Sequence, residues 1–113
     1  MTSLPEQIKK ESANKIIEIA KNMIDGKINL AAGSRKIETY RYQTDYSDDE
    51  LFDIFMLVAD DTDHIPLDEE VREKWNKDAL KKLDSELEEY IKVMKPDMLD
   101  ACEAIVEKYS TQT

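Results

Sequence analysis

Apolar residues return every three or four positions through most of this 113-residue chain. That spacing follows the 3.6-residue turn of an α-helix, not the two-residue alternation of a half-buried strand. The first stripe is Ile8, Ala13, Ile16, Ile17, Ala20, Met23 and Ile24. Ser3 and Glu6 precede it at capping-box spacing, and Gly26 follows where a left-handed residue ends a helix. A first helix is therefore expected over about residues 4–25. Asn29 is placed to cap a second, over about 30–43, with Leu30, Gly33, Ile37 and Tyr40 on its stripe. The small residues Ala31, Ala32 and Gly33 would let another helix come close. The short connection between the two predicts an antiparallel hairpin.

Ser47-Asp48-Asp49-Glu50 reads as another capping box, with Tyr46 and Leu51 as its hydrophobic staple. From Leu51 to Ala59 only Asp53 is polar, so a helix buried on most sides is expected. A strand competes for so short an apolar run, and the cap and the acidic first turn favour the helix. Asp60 to Pro66 should be a loop and Asp68 to Trp75 a short helical turn. Asn76 then caps a longer helix carrying Leu80, Leu83, Leu87, Tyr90, Ile91 and Met94. Lys95-Pro96 is expected to stop it, because proline disfavours helix in the residue before it. Pro96 suits the first turn of a last helix, whose stripe is Met98, Cys102, Ile105 and Tyr109. Two glycines and three prolines are too few for a fold of many tight turns. The chain should be an all-α, single-domain bundle of four to five helices over residues 1–113, with 110–113 frayed.

A chain of this length buries enough surface to fold without a disulfide or metal. Its one cysteine, Cys102, allows no internal disulfide. The N-terminal residues carry no apolar signal region, and no apolar run approaches the ~18 residues of a membrane span. A cytoplasmic protein is expected.

The net charge is −10, and it is unevenly placed. Residues 1–44 hold 5 acids and 8 bases, residues 45–73 hold 12 acids and one base, and residues 74–113 hold 9 acids and 7 bases. The excess thus sits in 29 residues. A field of this sign repels nucleic acid and anionic lipid and attracts a basic protein; it also serves simply as a solvated face. Tyr40, Tyr42 and Tyr46 lie just before the acidic segment and Trp75 just after it. These residue types often anchor interfaces, although Tyr40 and Trp75 fit peripheral core packing better.

Asp60-Asp61-Thr62-Asp63-His64-Ile65-Pro66 gathers three carboxylates and the only histidine. A calcium loop beginning at Asp61 fails, because Ile65 and Pro66 occupy the fifth and sixth positions. Zinc lacks a second histidine beside the single cysteine, and the paired Glu-x-x-His of a di-iron bundle is missing. No phosphate loop or nucleophile motif occurs, and Cys102 falls on a predicted buried stripe. No cofactor and no catalysis are expected, a metal-dependent enzyme centred on His64 being the weakest alternative.

Ile24-Asp25-Gly26-Lys27-Ile28, the run at 61–66, and Arg72 with Trp75 together resemble a family of small bacterial proteins without an established activity. That resemblance spans about residues 16–80. The helix-loop-helix opening, over about 16–41, resembles bacteriocin and contact-dependent-inhibition immunity proteins, which bind a cognate toxin domain and block its active site. The Tyr-Tyr motif of the nuclease-colicin immunity proteins is missing, so no residue role carries over. The expectation is an acidic protein-binding module, an immunity protein that occludes the basic cleft of a nuclease-type toxin. The alternative is a regulatory or scaffold protein with another basic partner. Its candidate contacts are Tyr42, Tyr46 and His64, rimmed by Asp48, Asp49, Asp53, Asp60, Asp61, Asp63, Asp68, Glu69 and Glu70.

Overall fold

The computed structural model describes residues 4–110. Its helices are α1 (Glu6–Ile24), α2 (Leu30–Arg41), α3 (Asp53–Asp61), α4 (Glu69–Arg72) and α5 (Lys77–Ser110), and a 3-10 turn (Glu50–Phe52) leads into α3. Among the described residues there is no strand. The expected all-α bundle is therefore observed. No helix of the described residues is long and apolar enough to cross a membrane.

The punctuation between α1 and α2 follows the local signals. Gly26 has φ 72°, a left-handed conformation that other residues adopt only with strain. The Gly26 N–H donates to Met23 O at 3.2 Å and the Lys27 N–H to Asn22 O at 2.9 Å, the two bonds of a Schellman ending. Asn29 Oδ1 then accepts from the N–H groups of Ala31 and Ala32, at 2.9 and 3.1 Å. These bonds satisfy backbone groups that helix ends leave orphaned. Farther along, Asp68 caps α4 and Asn76 caps α5 in the same way. At the start of α1 the cap position is Pro5, and the expected cap Ser3 lies outside the described residues.

Three expectations are corrected. The cap before α3 is Asp49, whose Oδ1 accepts from the Leu51 N–H at 3.0 Å; Ser47 instead offers its backbone carbonyl to Arg41. The outward side of α3 is exposed, since Met56 and Leu57 face solvent while Phe52, Phe55 and Val58 fill the core. The helix also runs to Asp61, two residues into the expected loop. Finally, Pro96 does not end a helix: α5 is continuous for 34 residues. Proline inside a helix removes one hydrogen bond, at a cost of ~3 kcal/mol. Here Pro96 and Lys92, whose carbonyl loses its partner, both face water, which satisfies that carbonyl. The apolar stripe meanwhile crosses the proline without a break, with Met94 half-buried and Met98 fully buried.

The core lies where α1, α2 and α3 pack along the C-terminal part of α5. Ile16, Ala20, Met23, Ile37, Phe52, Phe55, Val58, Met98, Cys102 and Ile105 are its deepest members. Cys102 belongs to it as a small apolar group, and burial, with the Glu103 carboxylate adding, pushes its thiol pKa up to about 12. A smaller cluster of Ala31, Ile65 and Leu87 joins the loop after α3 to α5. At ~1.5 Å per residue, α1 reaches only roughly half the length of α5. The first turns of α5 therefore run past the end of α1, and the molecule is 46 Å long against 30 and 22 Å in its other directions.

At Gly33, α2 lies close against α1. A Cβ at this position would lie 2.6 Å from Met23 Sδ and 2.7 Å from Met23 Cγ. Because Met23 is itself packed in the core, Gly33→Ala is expected to lower stability by ~1 kcal/mol despite alanine's better helix propensity. In a Met23→Ala background the same change should become stabilising by a similar ~1 kcal/mol. Urea unfolding of the four proteins of this cycle measures the reversal of sign.

Candidate functional site

Three arginines fix the acidic segment to the bundle, each through at least one backbone carbonyl. Arg41, buried at the end of α2, donates from Nε to Ser47 O at 2.6 Å. Its Nη2 lies 3.1 Å from Asp53 Oδ1 and its Nη1 3.3 Å from Glu38 Oε1. Arg35, two turns earlier on α2, donates from Nη2 to the carbonyls of Thr62 and Ile65 and holds the loop that follows α3. Arg72 donates to Pro66 O at 3.0 Å and grips Asp84 of α5 through two bonds of 2.9 and 2.7 Å. The guanidinium fork suits this work, because one planar group reaches a carbonyl and a carboxylate together.

These contacts set the course of α3. Arg41 meets Asp53 at its start and Arg35 meets Thr62 at its end, so α3 runs antiparallel to α2. Its other flank lies along α5. There the Tyr109 hydroxyl donates to Asp49 Oδ2, and the Tyr90 hydroxyl donates to Asp61 Oδ2 at 2.6 Å. What remains outward on α3 is Asp53, Met56, Leu57 and Asp60, spaced three, one and three positions apart. Met56 and Leu57 retain 41% and 48% of their accessible surface. Tyr42, which follows α2, is 62% exposed, with the Arg41 guanidinium 5.5 Å from its ring centre. Glu38 completes the edge. Burial raises its pKa, Asp53 and Asp60 add to the rise, and Arg41 opposes it. Two carboxylates, Glu38 and Asp53, thus hold one guanidinium.

The sequence candidates divide into four groups. Tyr42, Asp53 and Asp60 share this outward flank. Tyr46 does not face solvent: its ring stacks on Tyr109 with centroids 3.9 Å apart, and burial pushes its hydroxyl pKa up to about 12. Asp49 is taken up by the same cluster, its side chain 11% exposed. Asp48 lies in the exposed turn before it. Asp61, Asp63 and His64 sit at the far end of α3, where His64 Nε2 is 4.0 Å from Glu86 Oε2. Asp68, Glu69 and Glu70 belong to α4 and lie elsewhere. Arg72 grips Asp84 while His64 faces Glu86, and two positions on α5 are ~200° apart around the helix. Glu38, Met56 and Leu57 were not among the candidates. A three-and-four spacing with Asp53 and Asp60 was the available signal for the last two.

The chemistry at His64 is that of an exposed loop side chain. Among the described residues no three His, Cys, Asp or Glu side chains are grouped to hold a metal. Cys102 lies 16 positions beyond Glu86 on α5, roughly 24 Å away, so His64 and the thiol do not meet. No family model, curated protein or solved structure gives a significant match to this chain. The likeness to immunity proteins rests on its sequence pattern alone.

Asp49 ties the turn before α3 to the end of α5. Burial would raise its pKa, but bonds from Lys108 Nζ at 2.7 Å, the Tyr109 hydroxyl and the Leu51 N–H outweigh it and hold the carboxyl near 2. A folded-state pKa below the unfolded value stabilises the protein above pH ~4, and that contribution is lost as the pH falls toward 2. Asp49→Asn should therefore unfold more easily at neutral pH, by about 1–3 kcal/mol, and show a flatter loss of stability in acid. Chemical denaturation of both proteins between neutral pH and pH ~2 tests this; parallel acid limbs would remove Asp49 as their source.

Proposed function

We propose that this chain is an acidic protein-binding module whose contact surface is the outward flank of α3 with the adjoining end of α2. One observation carries the reading: Met56 and Leu57 are exposed side by side on α3 between exposed Asp53 and Asp60, and exposed Tyr42 packs on Arg41, which binds Asp53. Single exposed apolar residues are ordinary, but an adjacent apolar pair between two carboxylates on one helix face has the apolar centre and charged rim of an interface. Methionine and tyrosine are both enriched in such cores. The rim selects a lysine- or arginine-bearing partner and speeds its approach, and the apolar centre supplies the residence time.

Within this reading the partner is the basic substrate cleft of a nuclease-type toxin, and the chain acts as its immunity protein. The support is the acidic segment, the resemblance of residues 16–41, and a rigid flank that needs no chemistry to block a cleft. Inhibition would follow from occlusion alone. The partner should be captured by the wild-type chain and lost from a Met56→Ser/Leu57→Ser variant that keeps its helical circular dichroism. With the purified partner, that variant should bind at least about tenfold more weakly, chiefly through faster dissociation. Asp60→Lys should instead slow association and reduce its salt dependence. A captured toxin domain should lose its nuclease activity at one equivalent of this chain. Equal affinity of wild type and the double variant would remove α3 as the contact surface.

A further inference from the structure

The opposite character appears at the free end of α5. Residues 74–82 hold four lysines and one aspartate, so this stretch has net charge +3 in a chain of net −10. Lys74, Lys77, Lys81 and Lys82 are all exposed, and none makes an ion pair among the described residues. Carboxylates lie nearby, among them Asp78 within the stretch, and one of them, Asp84, is bound twice by Arg72. Two large apolar side chains are uncovered at the same end, Val71 at 46% and Trp75 at 40%. An open groove of about 490 Å3 runs along the first turns of α5, lined by Arg72, Lys77, Lys81 and half-buried Leu80 and by the carboxylates Asp84 and Glu88, so its lining stays net positive. These turns lie beyond the end of α1, and Arg72 of α4 meets them at Asp84.

We propose that this tip is a second docking surface, and that its occupant is a short acidic protein segment carrying an apolar residue. Charge complementarity selects the sign of the occupant, and Trp75 with Leu80 selects an apolar residue within it. The length follows from the range of the field. Exposed charges act over about 10 Å at 0.1 M salt, so a short segment responds to the local charge of residues 74–82, which is net positive despite Asp78. An extended polyanion, whether nucleic acid or an anionic membrane, would also meet Glu69 and Glu70 of α4 and the net negative charge of the whole chain. The inference does not depend on the α3 flank, which takes charge of the other sign.

Trp75 is the only tryptophan, so its emission reports the tip directly. The full chain is titrated with a synthetic peptide of glutamates around one leucine, in low salt and again in high salt. A saturable change in Trp75 emission is expected, weaker in high salt. Lys77→Gln/Lys81→Gln, both exposed substitutions, should weaken it about tenfold at unchanged helical circular dichroism. Met56→Ser/Leu57→Ser should leave it unchanged, which separates this surface from the α3 flank. A flat titration, or one unaffected by Lys77→Gln/Lys81→Gln, overturns the proposal. So does a stronger response to a single-stranded oligonucleotide or to phosphatidylserine vesicles.

Discussion

Every other helix takes its position from the unbroken apolar stripe of α5. From Leu87 through Ile91, Met94, Met98, Cys102 and Ile105 to Tyr109, one side of a single helix faces inward for more than six turns. The main core cluster and the smaller cluster around Ile65 both lie on it. An isolated helix of this composition would be marginal in water, and its stability comes from what packs against the stripe. The stripe also explains why the backbone accepts Pro96. Burying Met98, Cys102 and Ile105 in register with Leu87 and Ile91 needs one continuous helix. A single water-facing carbonyl is a small loss against several buried side chains, each contributing ~1.5–3 kcal/mol.

The arginines solve a different problem. A chain with 12 acids in 29 residues repels itself along that stretch, and the stretch contains only one base. Arg35 and Arg41 come from α2, outside it, and secure it mainly through the carbonyls of Ser47, Thr62 and Ile65. Fixing the backbone leaves most of the carboxylates free of internal partners. Asp45, Asp49 and Asp53 are paired with Lys9, Lys108 and Arg41, whereas Asp48, Asp60, Asp63, Glu69 and Glu70 make no ion pair among the described residues. The acidic segment is therefore ordered without being neutralised, which a binding surface requires and a purely structural loop does not.

What could be read in the sequence was local. Gly26, Asn29, Asp68 and Asn76 act within a few residues of themselves, and the stripes of α1, α2 and α5 repeat at helical period. What was misread depended on partners far along the chain. Ser47 and Asp49 both fit a cap; Lys108 and Tyr109, some sixty positions away, favour Asp49 as the residue that turns inward. The rule against helix before proline is local too, and it is overruled by the tertiary stripe, although the four-residue step from Met94 to Met98 was visible. In the candidate site, charge showed where the surface lies in the sequence but not which carboxylates share a face. The arginine contacts made that division, sending α4 to the other side of α5. Glu38 joins the flank only because α2 and α3 are antiparallel, and nothing near it in the sequence says so.

The separation of charge along the molecule follows from the same architecture. α3 lies alongside the covered part of α5, so its outward side is the flank of a rigid bundle. The lysines of residues 74–82 lie where α5 has outrun α1 and has less to pack against. Rigidity favours a preformed interface, with little ordering left to be lost on binding. A partly covered helix end favours a ligand that supplies the missing packing itself. The one exposed tryptophan is at that end, and the exposed methionine and leucine pair is on the flank. Opposite charges on a single short chain would ordinarily be expected to find each other. Here the lysines of the tip form no ion pair among the described residues, and Asp84, one of the two carboxylates lining the groove, is held by Arg72.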